Sequence, residues 1–307
     1  MSEYLKKPFK NINGILSFSI DDKKTKEVTE FYKITPFPNY KDNDTKQSIL
    51  EKGNRNILAQ QFKKFIGYKK RVLEVGCGTG QLSIFFSIGT NNQVVGFDPT
   101  IQSLNLAKKF KDENDISNIE FVNADIFDDV LVDNYFDFIW CNGVLHHTKD
   151  PYKAFEILSK SLKNQGYILL GLYNRIGRIR TLIRKYLSKI FGNKFLEIFD
   201  PTLKNLKISD KEKNSWIKDQ YFHPIESLHS LDEVLLWFEK NNIEFLNSIP
   251  SCDFEMSQNY QKLFEKKSKG SLYSRIINQF FMIFNKLGSD GGLFIVIGKK
   301  NNKTDKN

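Results

Sequence analysis

A strand that breaks into glycines at every second position constrains this chain most. Val72-Leu73-Glu74-Val75 reads as a buried strand entered at Arg71, and Gly76-Cys77-Gly78-Thr79-Gly80 follows directly. Glycine reaches φ > 0 and has no Cβ, so the backbone can turn sharply and let a ligand approach it. Gln81-Leu82-Ser83-Ile84-Phe85-Phe86 then reads as the start of a helix. A strand, a glycine turn and a helix N-terminus form the first half of a nucleotide-binding βαβ unit. The dinucleotide fingerprint G-x-G-x-x-G would need its third glycine at position 81, where Gln81 stands; this disfavours a nicotinamide dinucleotide.

The following segments repeat the alternation. Gln93–Asp98 reads as a second strand, and Asp98 falls eighteen positions after Gly80. That is close to the ~20 expected for an acid that accepts hydrogen bonds from ribose hydroxyls. Ile119–Asp125 is a third strand, and Phe136–Asn142 a fourth that runs into Gly143-Val144-Leu145-His146-His147-Thr148. Asp150 and Pro151 open a helix as cap and first position, and Tyr167–Tyr173 is a fifth strand. The order from 71 to 173 is that of a doubly wound α/β domain with a parallel sheet. Ligands of such sheets bind outside the carboxyl ends of the strands. Gly76–Gly80, Asp98, Asp125 and Asn142 all fall at that edge.

The flanks read less regularly. Asn11–Ile20 alternates like a hairpin arm, and Asp21–Glu30 reads as a charged connector. Pro36 and Pro38, set among Phe31, Tyr32, Phe37 and Tyr40, favour a stiff extended segment. It is either an arm packed on the domain surface or a lid that brings Phe37 and Tyr40 to the substrate side. Residues 46–66 read as one amphipathic helix. After Tyr173 the pattern is interrupted by a helical insertion, 174–230. There Arg175, Arg178, Arg180, Arg184, Lys185, Lys189 and Lys194 interleave with Ile176, Ile179, Leu182, Ile183, Leu187 and Ile190. Two readings stand: a basic amphipathic helix for anionic lipid or acidic substrate, and a cap helix burying its apolar side on the domain. Leu231–Asn241 is an apolar helix, Ile243–Ile249 a sixth strand and Leu293–Gly298 the last, with an insertion over 251–290 that holds an amphipathic piece, Ile276–Leu287. Residues 301–307 read as a frayed tail.

With 307 residues, 40% hydrophobic, the chain can bury a sizeable core. Its net charge of +10 suits an anionic membrane surface, nucleic acid or phosphate, or else is a solvated basic face. Three dispersed cysteines suggest no disulfide framework and point to a cytoplasmic location. The N-terminus lacks the apolar core of a signal peptide, and no apolar run reaches the ~18 residues of a membrane span. His146 and His147 are adjacent, with no accompanying carboxylate pattern, so no metal site is expected.

The E-x-G-x-G-x-G run from Glu74 to Gly80, followed by Asp98, Ala124-Asp125 and Asn142, resembles the class I S-adenosylmethionine-dependent methyltransferases. PFPNY (36–40), NGVLHHT (142–148), LYNRIGR (172–178) and DQYFHP (219–224) resemble an uncharacterised bacterial subgroup of that family. The resemblance implies a Rossmann-like sheet of seven strands in the order 3-2-1-4-5-7-6, strand 7 antiparallel, with helical cap insertions. The domain division is then an arm or lid over 1–45, a cofactor-binding core over 46–173, a cap over 174–230, the rest of the sheet over 231–300, and the tail. It also implies S-adenosylmethionine as cofactor. Glu74 helps hold its amino group, and the backbone of Gly76, Cys77, Gly78 and Gly80 faces its methionine part. Asp98 takes the ribose, Ala124, Asp125 and Ile126 the adenine, and Asn142 completes the site.

The implied reaction is an in-line displacement on a sulfonium methyl, in which alignment of the reactants is the main contribution. Where the acceptor must lose a proton, His146 and His147 are the candidate bases, at a strand end beside the cofactor. For either one, packing as a structural histidine is the alternative. Tyr173 and Asn174 are further catalytic candidates, and Phe37, Tyr40, Tyr221 and His223 are candidates for contact with the acceptor; for Asn174 and His223 the alternative is loop hydrogen bonding. The function expected is methyl transfer to a small molecule of lipid-linked or sugar type. RNA methylation fits the basic charge, although strand four ends in Asn142-Gly143-Val144-Leu145 and not in N/D-P-P-Y/F. A non-catalytic cofactor-binding protein is the third reading.

Overall fold

The computed structural model describes residues 2–34, 36–41, 43–205, 210–254, 260–284 and 292–302. The chain opens with a hairpin, β1 (Lys10–Ile12) and β2 (Ile15–Ser17), then α1 (Lys23–Ile34), α2 (Lys46–Arg55) and α3 (Ile57–Ile66). The alternating core follows as β3 (Arg71–Val75), α4 (Gln81–Ser87), β4 (Gln93–Asp98), α5 (Ile101–Glu113), β5 (Ile119–Asn123), β6 (Phe136–Asn142), α6 (Pro151–Ser161) and β7 (Leu162–Tyr173). A helical excursion contains α7 (Ile179–Phe191), α8 (Lys194–Phe199), α9 (Pro201–Asn205) and α10 (Asp210–Tyr221). The chain returns through α11 (Leu231–Lys240), β8 (Ile243–Ile249), α12 (Leu272–Phe281) and β9 (Leu293–Lys300).

Successive strand residues point to opposite faces, and here both faces are covered. Leu73, Val75, Val95 and Phe97 pack with Phe155 of α6 and Phe238 of α11 on one side. Val72, Val94, Phe121 and Trp140 pack with Phe62 of α3 and Phe85 and Phe86 of α4 on the other. Burial on both faces is what a mostly parallel sheet requires. The strand order is β1-β2-β5-β4-β3-β6-β7-β9-β8. The seven strands from β5 to β8 reproduce the expected order, with β9 antiparallel to both its neighbours. The expectation of seven strands is corrected to nine among the described residues, because Leu16 and Ser17 pair with Val122 and Asn123 and so cover the edge of β5.

Three local expectations are also corrected. Residues 21–30 are no connector: most of them belong to α1, where the Asp22 carboxylate accepts from the Thr25 N–H at 3.0 Å in the manner of an N-cap. Because α1 continues to Ile34, Phe31 and Tyr32 are helical as well. The expected single helix over 46–66 is two, parted at Asn56, whose extended backbone (φ −82°, ψ 99°) and side chain, accepting from Ala59 N, cap α3. Of the expected helix Ile276–Leu287, residues 285–287 lie outside the described residues, and α12 begins earlier, at Leu272. The excursion leaves and rejoins the sheet at one point. Asn174 bridges His229 in parallel, and the His229 N–H donates to the Tyr173 carbonyl at 2.9 Å.

Candidate functional site

A cavity of about 450 Å³ opens at the carboxyl ends of β3, β4, β5 and β6. Of the expected cofactor residues, Glu74, Gly76, Cys77, Gly78, Asp98, Asp125, Ile126 and Asn142 line it, and Gly80 and Ala124 do not. Gly80 opens α4 with its Cα against Ala107 and Phe121, and Ala124 is buried in the core.

The glycine turn differs from a phosphate cradle. The N–H groups of Gly76 and Cys77 donate to the Phe97 carbonyl, at 2.7 and 3.2 Å, and that of Gly80 to Cys77 O at 2.8 Å. The Gly78 N–H donates to Asp98 Oδ2 at 2.8 Å. These amides are bonded within the protein, so the turn offers the cavity a surface without Cβ atoms. At Gly78, φ is +53°, and a Cβ would lie 2.3 Å from the Phe37 carbonyl oxygen. Only glycine lets the N-terminal arm rest on the turn here.

The carboxylates of Glu74, Asp98, Asp125 and Asp219 stand on the cavity wall. Asp98 Oδ1 accepts from Thr100 N at 2.7 Å and Asp98 Oδ2 from Gly78 N at 2.8 Å, and the Thr100 side chain also bonds this carboxylate. Burial holds the Asp98 carboxyl above its ordinary range. Burial also pushes Glu74 up to about 8, against the opposing hydrogen bond from Ser83 Oγ and with added repulsion from Asp98. Asp125 accepts from Phe127 N at 3.0 Å and from Thr25 Oγ1 at 2.6 Å. Asn142 Oδ1 is buried without a partner and fills the space that a Cβ at Gly171 would take. Three lysines also reach the wall; Lys52 is paired with Asp44 and Lys149 with Asp22. The carboxylates suit a ligand that brings N–H and O–H donors.

Arm and cap close over this wall. Lys24, Thr25, Val28 and Tyr32 of α1 line the cavity with Phe37, and Trp216, Asp219 and Gln220 of α10 line it from the cap. Tyr32 Oη donates to Asp219 Oδ1 at 2.8 Å and joins the two. Sequence reasoning missed Thr25 and Tyr32, which lie in a helix it did not expect. Asp219 and Gln220 sit in the DQYFHP run, but only its tyrosine and histidine were singled out. Tyr40 is corrected from an acceptor contact to a pin: its ring stacks on Phe110 at 4.7 Å and its hydroxyl donates to the Thr79 carbonyl at 2.9 Å.

Among the candidate catalytic groups, His147 and Tyr173 reach the cavity, and His146 and Asn174 do not. His147 Nδ1 lies 2.6 Å from the Ile225 carbonyl, which can only accept, so Nδ1 carries the proton and Nε2 keeps its lone pair. Burial holds this imidazole well below its ordinary range, and so neutral. His146 is fully buried with both ring nitrogens unpartnered, its ring 3.9 Å from that of Tyr173. Asn174 Oδ1 accepts from the N–H groups of Ile176 and Gly177 and its Nδ2 donates to Gln279, so it shapes the turn into the cap. Tyr221 donates to Asp200 inside the cap at 2.8 Å, and His223 stacks behind His147 at 3.6 Å. Neither lines the cavity. Tyr173 carries the Arg178 guanidinium over its ring at 3.7 Å, and its hydroxyl accepts from Gln220 Nε2 at 3.0 Å. Arg178 is itself buried and paired with Glu226 at 2.8 Å, which removes it from the basic face.

The family described as Methyltransferase domain matches residues 66–267. An uncharacterized protein of Synechococcus sp. is 24% identical over 237 residues, covering 68% of this chain and 57% of that protein. The ubiquinone biosynthesis O-methyltransferase of Actinobacillus pleuropneumoniae is 30% identical over 136 residues, covering 42% and 54%. The chain thus spans little more than half the length of these curated relatives. Two structures of PKMT2 from Rickettsia typhi superpose with TM-scores of 0.55 and, in complex with AdoHcy, 0.52. Each is 17% identical and covers 81% of this chain and 53% of the other, a likeness of fold.

Proposed function

The chain belongs to the Methyltransferase domain family, and from that premise we propose that it transfers a methyl group from S-adenosylmethionine to a small-molecule acceptor. One observation carries the reading: four strand ends bring Glu74, Asp98, Asp125 and Asn142 to the wall of one cavity. Its volume falls within the ~300–1,000 Å³ typical of small-molecule sites. S-adenosylmethionine, when bound, supplies an electrophilic sulfonium methyl. Glu74 would hold its amino group, and Asn142 lines the wall beside it. Asp98 would take the ribose hydroxyls, Asp125 and Ile126 the adenine, and the Cβ-free faces of Gly76 and Gly78 the methionine chain. All these protein groups are acceptors or apolar surface, which suits a ligand whose charged ammonium and sulfonium centres are cationic.

On the acceptor side, His147 Nε2 accepts the proton of an acceptor hydroxyl or amine, and the Ile225 carbonyl fixes the ring that does so. Tyr173 and Phe37 bound the acceptor, and the arm and cap exclude water from it. Alignment within that enclosure is worth on the order of 7–11 kcal/mol to such a displacement. The enclosure of the cavity by α1 and α10 supports a small acceptor, lipid-linked or sugar-type, over folded RNA. Calorimetry tests the cofactor: S-adenosylhomocysteine should bind and NAD should not. Incubation of labelled cofactor with metabolite extracts identifies the acceptor. No binding of S-adenosylhomocysteine ends the proposal, and label appearing in RNA replaces the acceptor class.

A further inference from the structure

Two helices of this protein are inside out. In α7 the residues buried against the domain are Thr181 and Ser188, both polar. Its outer face carries Ile179, Leu182, Ile183, Tyr186 and Ile190, at the three- and four-residue spacing of one helical stripe, with Phe191 beside them. Ile183 is 53% exposed, Tyr186 66% and Ile190 62%, so the stripe is bare along its length. α12 repeats the arrangement: it buries Ser274 and Gln279 and exposes Leu272, Tyr273, Ile276, Phe280 and Phe281. The two helices adjoin, since Arg180 Nη1 donates to the Ile283 carbonyl at 3.0 Å and Gly177 packs on Met282. An amphipathic helix laid on a domain normally buries its apolar stripe. Here the polar face is inside, and its partners are specific: Gln279 bonds Asn174 and the Leu231 N–H, and Ser274 bonds the Cys252 carbonyl.

The charge around the stripe selects its occupant. Arg180 and Lys189 border it on either side, Lys185 lies farther round the helix, and Lys194 follows at the start of α8. No acidic residue occurs between Ile179 and Phe191; the next, Glu197, lies in α8. A second copy of this chain laid face to face would set these cations against their own kind. An anionic lipid surface complements both parts, taking the Ile, Tyr and Phe side chains at the acyl boundary and the Lys and Arg heads among the phosphates. No helix among the described residues is long and apolar enough to cross a membrane, so the contact would be interfacial.

We propose that the outer faces of α7 and α12 form a docking surface for an anionic bilayer. The full chain should sediment with vesicles of equal parts phosphatidylglycerol and phosphatidylcholine, weakly or not at all with phosphatidylcholine alone, and less as salt is raised. Replacing Ile183→Glu together with Ile190→Glu should weaken that partitioning by roughly tenfold or more. Both residues are exposed and outside the cavity, so the far-ultraviolet spectrum and S-adenosylhomocysteine affinity should stay unchanged. Lys189→Glu should weaken sedimentation at low salt and have less effect at high salt. Failure to sediment with the anionic vesicles, or equal sedimentation of the double variant, overturns the proposal. So does a concentration-dependent dimer, seen by ultracentrifugation without lipid, that the double variant abolishes; the face would then belong to a second copy.

Discussion

The Gly78 N–H donates to Asp98 Oδ2 at 2.8 Å, tying the glycine turn to the end of the neighbouring strand. The same carboxylate holds Thr100 N through its other oxygen, so one side chain sets both the turn and the start of α5. Asp98→Ala should therefore remove a ligand contact and loosen the turn together. S-adenosylhomocysteine binding by calorimetry should fall by roughly a hundredfold or more, as expected when a hydrogen-bonded buried charge is lost. Circular dichroism should still report the folded domain. Unchanged affinity would remove the ribose assignment.

Glu74 gives a pH signature. Its folded-state pKa is raised to about 8, above the ordinary carboxyl value, because burial disfavours the anion. Between the ordinary value and about 8 the unfolded chain has released this proton and the folded chain retains it, so Glu74 lowers stability as pH rises through that window. Glu74→Gln should stabilise the ligand-free protein at pH 8 by on the order of a few kcal/mol at most, read as a raised melting temperature. The gain should shrink toward pH 5. The same variant should weaken S-adenosylhomocysteine binding, since the carboxylate that meets its amino group is gone. A melting-temperature gain equal at both pH values would show that the carboxyl is not held protonated.

The strand ends were legible because their signals are local. Hydrophobic runs ending in Asp98, Asp125 and Asn142 place those residues at one edge whatever surrounds them. The closure of the cavity was not legible in the same way. Tyr32 and Asp219 are 187 positions apart, and α1 was hidden by a charged sequence with no buried side chain to give it periodicity. In α7 the periodicity was plain, but periodicity does not say which face turns inward. Thr181 and Ser188 fit the close approach to the domain, and the apolar stripe faces out. At Asn56 a side chain that bonds its own backbone overrode an otherwise continuous helical pattern.

The Tyr32–Asp219 bond is a direct hydrogen bond between α1 and α10 over the cavity. Tyr32→Phe keeps the ring against Phe31 and His223 and deletes only that donor. A hydrogen bond to a charged acceptor is worth about 1.5–3 kcal/mol. The variant should release S-adenosylhomocysteine roughly tenfold faster in stopped-flow measurements, with its association rate little changed. A dissociation rate equal to that of the parent would mean that arm and cap do not hold the ligand.

His147 on the cavity wall meets His146 edge-on at 4.2 Å and stacks on His223 at 3.6 Å. Burial lowers all three, His223 to about 4 and the other two well below their ordinary range. Above pH ~6.5 both folded and unfolded states leave them neutral, and they do not affect stability. Below it the unfolded chain takes up protons that the folded chain refuses, so stability falls as pH falls, by up to about 4 kcal/mol per pH unit if all three respond. The histidines should therefore leave urea midpoints unmoved between pH 7 and 8, where Glu74 lowers them, and should pull them down toward pH 5, with Glu74 offsetting about one histidine's share of the fall. His146→Phe keeps an aromatic ring against Tyr173 and removes one proton from that uptake, so the histidine share of the slope should fall by about a third. The variant should also be at least as stable at pH 7, because both nitrogens it deletes are buried without partners. His147→Asn should leave S-adenosylhomocysteine affinity intact and lower turnover by roughly a hundredfold where the acceptor must be deprotonated. A turnover unaffected by that change would reduce His147 to a packing residue and leave positioning alone to account for the rate.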